Sequence, residues 1–259
     1  MEKICLHDKA KIEAFLRQHT FLNLYALGDL DKLFWNYTTW YALASEQQIN
    51  QLVLLYARSI PVLLGLSEEV EELKELLRLL FPLLPKQFYA HLSGDAVSVF
   101  TKNYHIQSHG IHYKMALTDS SRIDNIDTSK VIPLSAINLD QLQHLYQASY
   151  PSNWFEPHML ESGYYYGIRR GGTLISVAGV HIYSQEYKVA ALGNITTHPQ
   201  WREQGLGTLV CAKLCQALLR TVEHIGLNVK ADNKSAIACY KKLGFERIAA
   251  YEEFALELK

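Results

Sequence analysis

Residues 194–210 read NITTHPQWREQGLGTLV and join an extended polar run to an apolar run with helical spacing. Gly205 and Gly207 stand at the junction, where the first backbone N–H groups of a helix have no intrahelical partner. The glycines leave these donors accessible, Arg202 adds a fixed positive charge and Thr208 adds a hydroxyl. The stretch therefore predicts a strand-to-helix connection that binds an anion such as pyrophosphate.

Other uses of the two glycines can be compared with the sequence. A tight turn with close helix packing also needs small residues, and a bare G-x-G would favour that explanation. A nucleotide-hydrolysing phosphate loop has Lys directly after its last glycine, and no Lys follows Gly207. A dinucleotide fingerprint has a third glycine at the position of Val210. Both of these nucleotide motifs are excluded.

The sequence around this junction predicts alternating strands and helices. In the C-terminal half, the expected elements are a strand at 131–135, helices at 137–150 and through His158 to Glu161, a hairpin at 164–184 that turns at Gly171–Gly172, a strand at 189–198, a helix from Gly205 to near Gly226, a strand at 226–231, a helix capped by Asp232 or Asn233 and stopped by Gly244, and closing strands at 245–259.

The N-terminal half repeats this order more weakly, which indicates an internal duplication. Its expected elements are a helix at 8–19, a hairpin at 38–57 with its turn near Glu46 to Gln48, a strand at 61–67, a helix at 68–81, a strand at 88–93, a helix at 95–104 and a strand at 111–117. The polar segment 117–130 is the best candidate linker.

The two halves differ at the strand-to-helix connection. Where the second half has THPQWREQGLG, the first runs directly from LLGLS into EEVEEL. Acidic residues in a first helical turn stabilise the positive end of their own helix, and they repel a phosphate at the same place. If one half binds an anionic ligand in this way, it is the second.

Two stretches carry a resemblance to a known family. The segments THPQWREQGLG and LNVKADNKSAIACYKKLGF resemble, in this order, the two signatures of the GNAT superfamily of acyl-CoA-dependent N-acetyltransferases. The first is similar to R/Q-x-x-G-x-G/A, with Arg202, Gly205 and Gly207 at the fixed positions. The second is similar to N-x-x-A-x-x-x-Y-x-x-x-G-F, and its fixed positions are Asn233, Ala236, Tyr240, Gly244 and Phe245.

The resemblance covers Val131 to Lys259 and implies an α/β (α+β) fold. In this fold each domain is a mixed, mainly antiparallel sheet flanked by helices. We expect two tandem GNAT-like domains. Residues 1–120 would be a degenerate copy without the acyl-CoA motif, and residues 128–259 would be the acetyltransferase domain.

The same resemblance implies acetyl-CoA as the co-substrate. The pantetheine arm would lie along the main chain of the strand before the loop, and the backbone amides of the loop would hold the pyrophosphate. The residues assigned to the coenzyme in this way are Ile195, Thr196, Thr197, Arg202, Glu203, Gln204, Gly205, Leu206, Gly207, Thr208 and Asn233. Asn233 is also a good helix cap, and one residue can have both roles.

Tyr240 is the residue that the resemblance assigns to catalysis, as the general acid for the coenzyme A thiolate. An unperturbed phenol has a pKa of about 10, so its hydroxyl is protonated at neutral pH and can donate to the departing sulfur. The alternative is an ordinary buried helix aromatic whose hydroxyl has a structural partner.

The sequence does not identify a general base. Several family members carry Glu in a strand pattern L-E-V, but here the matching residue is Asn228, which cannot accept a proton at neutral pH. The nearby candidates are His181, His198 and Glu161. A water chain, or an amine that arrives neutral, is an equal alternative.

An aromatic group after the first helix of the C-terminal half is the expected wall of the amine site. Its members are Tyr150, Trp154, Phe155, His158, Tyr164, Tyr165 and Tyr166. Aromatic walls with polar tips suit a small amphipathic amine, although ordinary packing explains at least half of these residues. An amino acid, an amino sugar, a polyamine and a peptide remain open as substrates.

Composition limits the remaining possibilities. The 259 residues are 49% apolar with a formal net charge of −1, so neither nucleic acid nor an anionic membrane surface is an expected partner. The N-terminus is charged where a signal peptide would be apolar, which predicts a cytoplasmic protein. Cys211 and Cys215 could share a helix face, but no His or further Cys pair completes a metal site. No metal is expected.

These observations favour an N-acetyltransferase that moves an acetyl or short acyl group from acetyl-CoA to the amine of a small molecule. The alternative is a non-catalytic acyl-CoA-binding or regulatory module, because no base was found and the first half lacks the motif. A tandem chain can also form internally the interface that single-domain relatives form as dimers, so we expect a monomer or a weak dimer.

Overall fold

The structure is a computed structural model that describes residues 2–45 and 48–259. The chain forms two compact units. Unit 1 comprises the residues up to Lys114 together with Lys230–Asp232 and Ile248–Lys259, and unit 2 comprises Met115–Val229 and Asn233–Arg247. This division differs from the expected ranges 1–120 and 128–259, because the end of the chain belongs to unit 1.

Unit 1 begins with a strand that the sequence did not predict. Its elements are β1 (Glu2–Leu6), α1 (Lys9–Leu16), α2 (Leu24–Gly28), β2 (Thr38–Ser45), β3 (Gln48–Tyr56), β4 (Val62–Gly65), α3 (Val70–Leu80), β5 (Gln87–Leu92) and the greater part of β6 (Tyr104–Leu117), with 3₁₀ turns at Arg17–His19, Trp35–Tyr37, Phe81–Leu83 and Ala96–Phe100. The expected hairpin is present as β2 and β3. Of the turn expected near Glu46 to Gln48, residues 46 and 47 lie outside the described residues. The segment expected as a helix at 95–104 is a 3₁₀ turn.

The sheet of unit 1 is mainly antiparallel. The last strand of the chain, β12 (Phe245–Leu258), enters it, and Glu252–Glu257 pair antiparallel with β5. The strand order is β1-β2-β3-β4-β5-β12-β6, and β4 pairs parallel with β5 from Val62↔Tyr89 to Gly65↔Leu92. A parallel pair needs a crossover connection, and α3 provides it.

Helix α3 packs its apolar stripe into the core of unit 1. Leu73, Leu76, Leu77 and Leu80 follow the spacing of one helix face, and all four are fully buried. Burial of each such side chain contributes about 1.5–3 kcal/mol to stability. This face of the sheet therefore carries a hydrophobic core of the unit.

The opposite face of the same sheet buries ionisable groups. Glu253 alternates with the core residue Phe254 along β12, and its carboxylate oxygens lie 3.6 Å from Nε2 of both His91 and His112. Tyr251 donates a hydrogen bond to the same carboxylate. The Lys114 ammonium lies 5.4 Å from the Tyr251 ring centre, and burial lowers its pKa to about 7. Burial also lowers the pKa of His91 to about 4.

Unit 2 follows the predicted order of elements. They are α4 (Ser121–Asp124), β7 (Ile132–Pro133), α5 (Leu139–Ser149), β8 (Tyr166–Arg170), β9 (Thr173–Ser184), β10 (Val189–Thr197), α6 (Leu206–Leu218), β11 (His224–Lys230, to Val229) and α7 (Lys234–Lys242), with 3₁₀ turns at Ala136–Asn138, Pro157–Ser162 and Pro199–Trp201. The prediction that the helix after Gly205 reaches Gly226 is wrong. Its last turn closes at Leu218, whose carbonyl oxygen accepts from the N–H groups of Thr221 and Val222, and Gly226 lies inside β11.

The sheet of unit 2 has the order β11-β10-β9-β8-β7. The pairs β7–β8, β8–β9 and β9–β10 are antiparallel, and β10–β11 is parallel. Helix α6 covers the sheet with a fully buried stripe that consists of Val210, Cys211, Leu214, Cys215 and Leu218. Each unit is thus a mixed, mainly antiparallel sheet flanked by helices, which confirms the predicted fold class.

Candidate active site

The two parallel strands of unit 2 pair over only part of their length. β10 pairs with β11 from Val189↔His224 to Leu192↔Leu227. Beyond Leu192 the pairing of β10 continues with β9, through Thr196↔Val177 and Thr197↔Ser176, after a bulge. The β10–β11 pairing therefore does not include the main chain of Ile195–Thr197. A strand that binds an extended ligand is expected to leave its backbone groups available in this way.

The first turn of α6 offers backbone donors. Gly205 precedes the helix with a left-handed φ of 75°, no side chain caps the helix, and the first turn contains no acidic residue. A Cβ built on Gly205 has no atom within 4 Å, and one built on Gly207 has only the Thr197 Oγ1, at 3.7 Å. The space in front of these amides is open, so the junction fits a diphosphate.

The residues before α6 shape this turn. Glu203 has a left-handed φ of 63°, which is uncommon for a residue with a side chain, and Glu203 and Gln204 are exposed. Arg202 donates from Nε to the carbonyl oxygen of Thr197 at 3.1 Å and from Nη2 to that of Ser149 at 3.3 Å. Its guanidinium therefore connects the end of β10 to the end of α5 as well as placing a positive charge beside the loop.

The side chains at the end of β10, from Ile195 to Thr197, make contacts within unit 2. Thr196 Oγ1 donates to Ser149 Oγ at 3.1 Å, and Thr197 Oγ1 lies 2.8 Å from Ser176 Oγ. Ile195 is half-buried. These contacts fix the strand through its side chains, and they are consistent with a ligand contact made by the backbone.

Helix α7 holds the second motif. Asn233 Oδ1 accepts from the N–H of Ala236 at 3.2 Å, which makes Asn233, and not Asp232, the cap. Gly244 ends the helix with a φ of 90°, and a Cβ there would lie 2.0 Å from the Asp119 carbonyl oxygen. Tyr240 is 7% exposed, and its ring packs 5.9 Å from that of Phe245.

Helices α6 and α7 contact each other through cysteine and threonine side chains. Thr208 Oγ1 lies 3.3 Å from the Cys239 sulfur, next in the chain to Tyr240. A hydrogen bond from Cys211 lowers the pKa of the Cys239 thiol to about 7. Burial raises the pKa of Cys215. The contact places the motif helix beside the first turn of α6.

The expected aromatic wall divides into two groups. Phe155 packs against Tyr146 and Tyr165, with ring centres 5.0 and 5.9 Å apart. Tyr164 instead pairs with Tyr183 at 4.5 Å. Of the other members, Tyr150 and Trp154 are exposed, Tyr166 is half-buried in β8, and His158 Nδ1 lies 3.1 Å from a carboxylate oxygen of Glu156.

Asn194 and Tyr146 join this region although the sequence did not single them out. Asn194 has a left-handed φ of 53° in the bulge of β10 and is 3% exposed. Tyr146 donates to its carbonyl oxygen at 3.0 Å, and Asn194 Nδ2 donates to the Tyr165 hydroxyl at 2.9 Å. Burial raises the pKa of both Tyr146 and Tyr165, so both hydroxyls stay protonated. The only sequence signal was an Asn at the start of the motif stretch.

The base candidates have different surroundings. His198 Nδ1 accepts from the N–H of Gln200 at 3.3 Å and caps the turn at Pro199–Trp201. The His181 ring lies against Gly193, where a Cβ would be 2.3 Å from the ring. Glu161 is exposed. None of these contacts selects a base.

At the matching strand-to-helix connection in unit 1, a side chain of the protein accepts from a backbone N–H group. Ser67 Oγ accepts from the Glu69 N–H at 3.0 Å and from Gln51 Nε2 at 2.6 Å, and Glu71 lies in the first turn of α3. A pocket of about 450 Å³ beside Ser67 is lined in part by Glu68. These contacts and charges disfavour an anion.

The described part of the chain shows neither a metal-binding cluster nor a membrane-spanning helix. Within residues 2–45 and 48–259, no group of three or more His, Cys, Asp or Glu side chains is arranged to hold a metal ion. Among the helices described, none is long and apolar enough to cross a membrane.

Comparison with known proteins shows that unit 2 is similar to one family. The model of the Acetyltransferase (GNAT) family matches residues 133–245. N-alpha-acetyltransferase RimI of Mycobacterium tuberculosis is 32% identical over 89 residues, which are 33% of this chain and 53% of that protein. The ribosomal protein bS18-alanine N-acetyltransferase of Escherichia coli is 29% identical over 117 residues, 43% of this chain and 77% of that protein. The chain thus spans about half the length of the first of these relatives.

Solved structures share the fold over nearly the whole chain. A Drosophila protein of structural genomics origin has a TM-score of 0.71 at 16% identity, with 98% of each chain covered. A tandem GNAT protein from the clavulanic acid biosynthesis pathway has a TM-score of 0.57 at 14% identity, with 98% of this chain and 97% of that chain covered. Residues 133–245 thus match the GNAT acetyltransferase family, and the chain has the fold of a tandem GNAT protein.

Proposed function

We propose that this protein is an N-acetyltransferase that moves an acetyl or short acyl group from acetyl-CoA to the amine of a small molecule. The observation that carries the proposal is the combination of a strand that leaves its parallel neighbour at Leu192 with an open, uncapped helix start at Gly205. An extended carrier with a diphosphate needs both features, one for its arm and one for its phosphates.

Coenzyme A would lie along unit 2. Its arm would follow the main chain of Ile195, Thr196 and Thr197, and its pyrophosphate would meet the amides from Gly205 to Thr208. Arg202 would add positive charge, and Glu203 and Gln204 would set the course of the loop. Asn233 would contribute by capping α7.

The reaction is a direct attack of the amine on the thioester carbonyl. A carbon–nitrogen bond forms, the carbon–sulfur bond breaks, and the thiolate leaves. Tyr240 donates its proton to this thiolate and regains one from water. The amine attacks in its neutral form. Asn228 cannot accept the surplus proton, so this proton passes to water or to one of the candidate bases His181, His198 and Glu161.

Unit 1 would be a degenerate copy that does not bind acyl-CoA. The support is the internal occupation of its strand-to-helix connection by Ser67 and the acidic first turn of α3. One coenzyme would then bind per chain.

A second candidate substrate is the N-terminal amine of a protein. The names of the two curated relatives favour it, since one is an N-alpha-acetyltransferase and the other acts on an alanine of ribosomal protein bS18. Exposed Tyr150 and Trp154 would then contact the peptide beyond its first residue.

A thiol-release assay tests the proposal. The wild-type chain is supplied with acetyl-CoA and with spermidine, glucosamine, L-lysine or a tetrapeptide with a free N-terminus. We expect turnover with at least one amine, and the preferred amine separates the two candidate substrates. Coenzyme A binding by calorimetry without turnover on any amine would instead support a non-catalytic acyl-CoA-binding module.

A further inference from the structure

The side chain of Asn194 makes an incomplete set of hydrogen bonds in a buried place. Its Nδ2 donates to the Tyr165 hydroxyl at 2.9 Å and contacts the Met159 sulfur at 3.3 Å. Its Oδ1 is buried, and among residues 2–45 and 48–259 it has no hydrogen-bond partner. A buried acceptor without a donor costs about 1–3 kcal/mol, so one that a protein retains calls for a specific explanation.

The orientation of the amide follows from its neighbour. The Tyr165 hydroxyl has one hydrogen, for which the Val180 carbonyl oxygen at 3.2 Å and the Met159 sulfur at 3.7 Å are the acceptors, so toward Asn194 it acts as an acceptor. Tyr165 is itself fixed, because it is fully buried and packs against Gly179, where a Cβ would lie 2.2 Å from its ring. The nitrogen of the Asn194 amide thus faces Tyr165, and Oδ1 is the amide atom without a hydrogen-bond partner among the described residues.

If the proposed function is correct, the position of Asn194 along β10 places Oδ1 near the thioester. With the diphosphate at Gly205, the carrier arm runs from Thr197 toward Ile195, so its thioester end lies toward the start of the diverging segment. Asn194 is the residue directly before Ile195. The attacking amine must approach the thioester there, and it brings N–H hydrogens that need an acceptor.

We propose that Asn194 Oδ1 binds the amine substrate, by accepting a hydrogen bond from the nitrogen that attacks the thioester. The bond holds one N–H of the amine and leaves the nitrogen lone pair directed at the carbonyl carbon. An amide oxygen cannot take up the proton, so Asn194 orients the nucleophile and is not its base. Asn tolerates the left-handed backbone of the bulge well, and its side chain is buried there.

Steady-state kinetics of three variants test the assignment, with the best amine of the four-compound panel as the probe. Asn194→Gly keeps the left-handed backbone and removes Oδ1. We expect its KM for the amine to rise at least about tenfold, the loss of one hydrogen bond, with KM for acetyl-CoA unchanged. Asn194→Asp retains an oxygen acceptor and should restore KM for the amine to near the wild-type value.

Tyr183→Phe is the control for a general effect of losing a polar group in unit 2. It removes a hydroxyl that bonds to Tyr164 and leaves Asn194 and Tyr165 intact, so its KM for the amine should stay close to that of wild type. If Tyr183→Phe reproduces the effect of Asn194→Gly, or if Asn194→Gly raises both KM values equally or neither, Asn194 does not bind the amine.

If Asn194→Gly does not fold, the pH dependence of KM for the amine in Asn194→Asp tests the assignment instead. A carboxylate at this position attracts the protonated amine, so the ratio of KM at pH 6 to KM at pH 9 should fall below that of wild type; an unchanged ratio contradicts the assignment. Absence of turnover in wild type would overturn both proposals. Wild-type turnover with an unaffected Asn194→Gly variant would overturn only this one.

Discussion

Arg202 Nε donates a hydrogen bond to the carbonyl oxygen of Thr197 at 3.1 Å. The same guanidinium reaches the carbonyl oxygen of Ser149, the last residue of α5, at 3.3 Å. One side chain therefore connects the end of β10, the end of α5 and the turn that leads into α6. Arg202, the Arg of the first motif, therefore connects these elements and also contributes a positive charge.

Arg202→Ala is expected to weaken coenzyme A binding about tenfold or more, because the turn loses both its connection and its charge. Arg202→Lys should recover only part of this affinity, since a single ammonium cannot reproduce the planar fork that reaches two carbonyl groups. Calorimetric titration with coenzyme A measures both variants. Equal affinities in Arg202→Lys and wild type would show that charge alone matters.

Gly205→Glu is expected to weaken coenzyme A binding by at least about tenfold, because its side chain carries negative charge into the space before the helix amides. Gly205→Ala should have a smaller effect in the same direction. Gly171→Ala is the matched control, since Gly171 is also left-handed with nothing within 4 Å of a built Cβ, but lies in a hairpin turn. If Gly171→Ala and Gly205→Ala weaken binding equally, backbone strain and not access to the amides explains the effect.

Tyr240→Phe is expected to lower kcat about 10²-fold or more, because the thiolate then leaves without a proton from the protein. Its affinity for coenzyme A should stay within about twofold of wild type, as the ring that packs against Phe245 is kept. Tyr183→Phe removes a hydroxyl elsewhere in unit 2 and serves as the control. A Tyr240→Phe variant with wild-type kcat in the thiol-release assay removes Tyr240 from the mechanism.

The pH dependence of stability reports on Lys114 in unit 1. Burial lowers its pKa to about 7, against 10.5 for an ordinary lysine, so between these pH values the unfolded chain binds more protons than the folded one. The free energy of unfolding should therefore rise with pH across this window, by up to about 1.4 kcal/mol per pH unit. Below pH 7 Lys114 is charged in both states, and the cost of burying the charge is fully present.

Lys114→Met should flatten this rise, as measured by urea denaturation at several pH values between 7 and 10. Lys102→Met, at an exposed position, controls for the loss of one positive charge and should keep the wild-type slope. A slope in Lys114→Met that equals that of wild type would contradict the buried-lysine account.

Local signals in the sequence predicted much of unit 2. Helical periodicity located α7 and limited its cap to Asp232 or Asn233, and the Gly171–Gly172 pair located the hairpin turn. The two glycines of the motif stretch predicted the open start of α6. Each of these features depends on residues a few positions apart, whose effect on the backbone is general.

Features that depend on distant partners were not predictable in this way. The pairing of Glu253 with His91 joins residues far apart in the chain, so nothing local indicated that β12 enters unit 1. The early end of α6 at Leu218 was missed because Gly226 is a plausible helix stop, whereas it is a buried strand residue. Asn194 was missed because a left-handed conformation in a bulge has no simple sequence pattern.

A crystal structure of the chain with coenzyme A is the decisive test of the proposed coenzyme site. We expect one coenzyme per chain, with diphosphate oxygens at about 2.7–3.2 Å from the backbone nitrogens between Gly205 and Thr208 and the arm along Ile195–Thr197. Coenzyme bound at another place, or no bound coenzyme at saturating concentration, would contradict it.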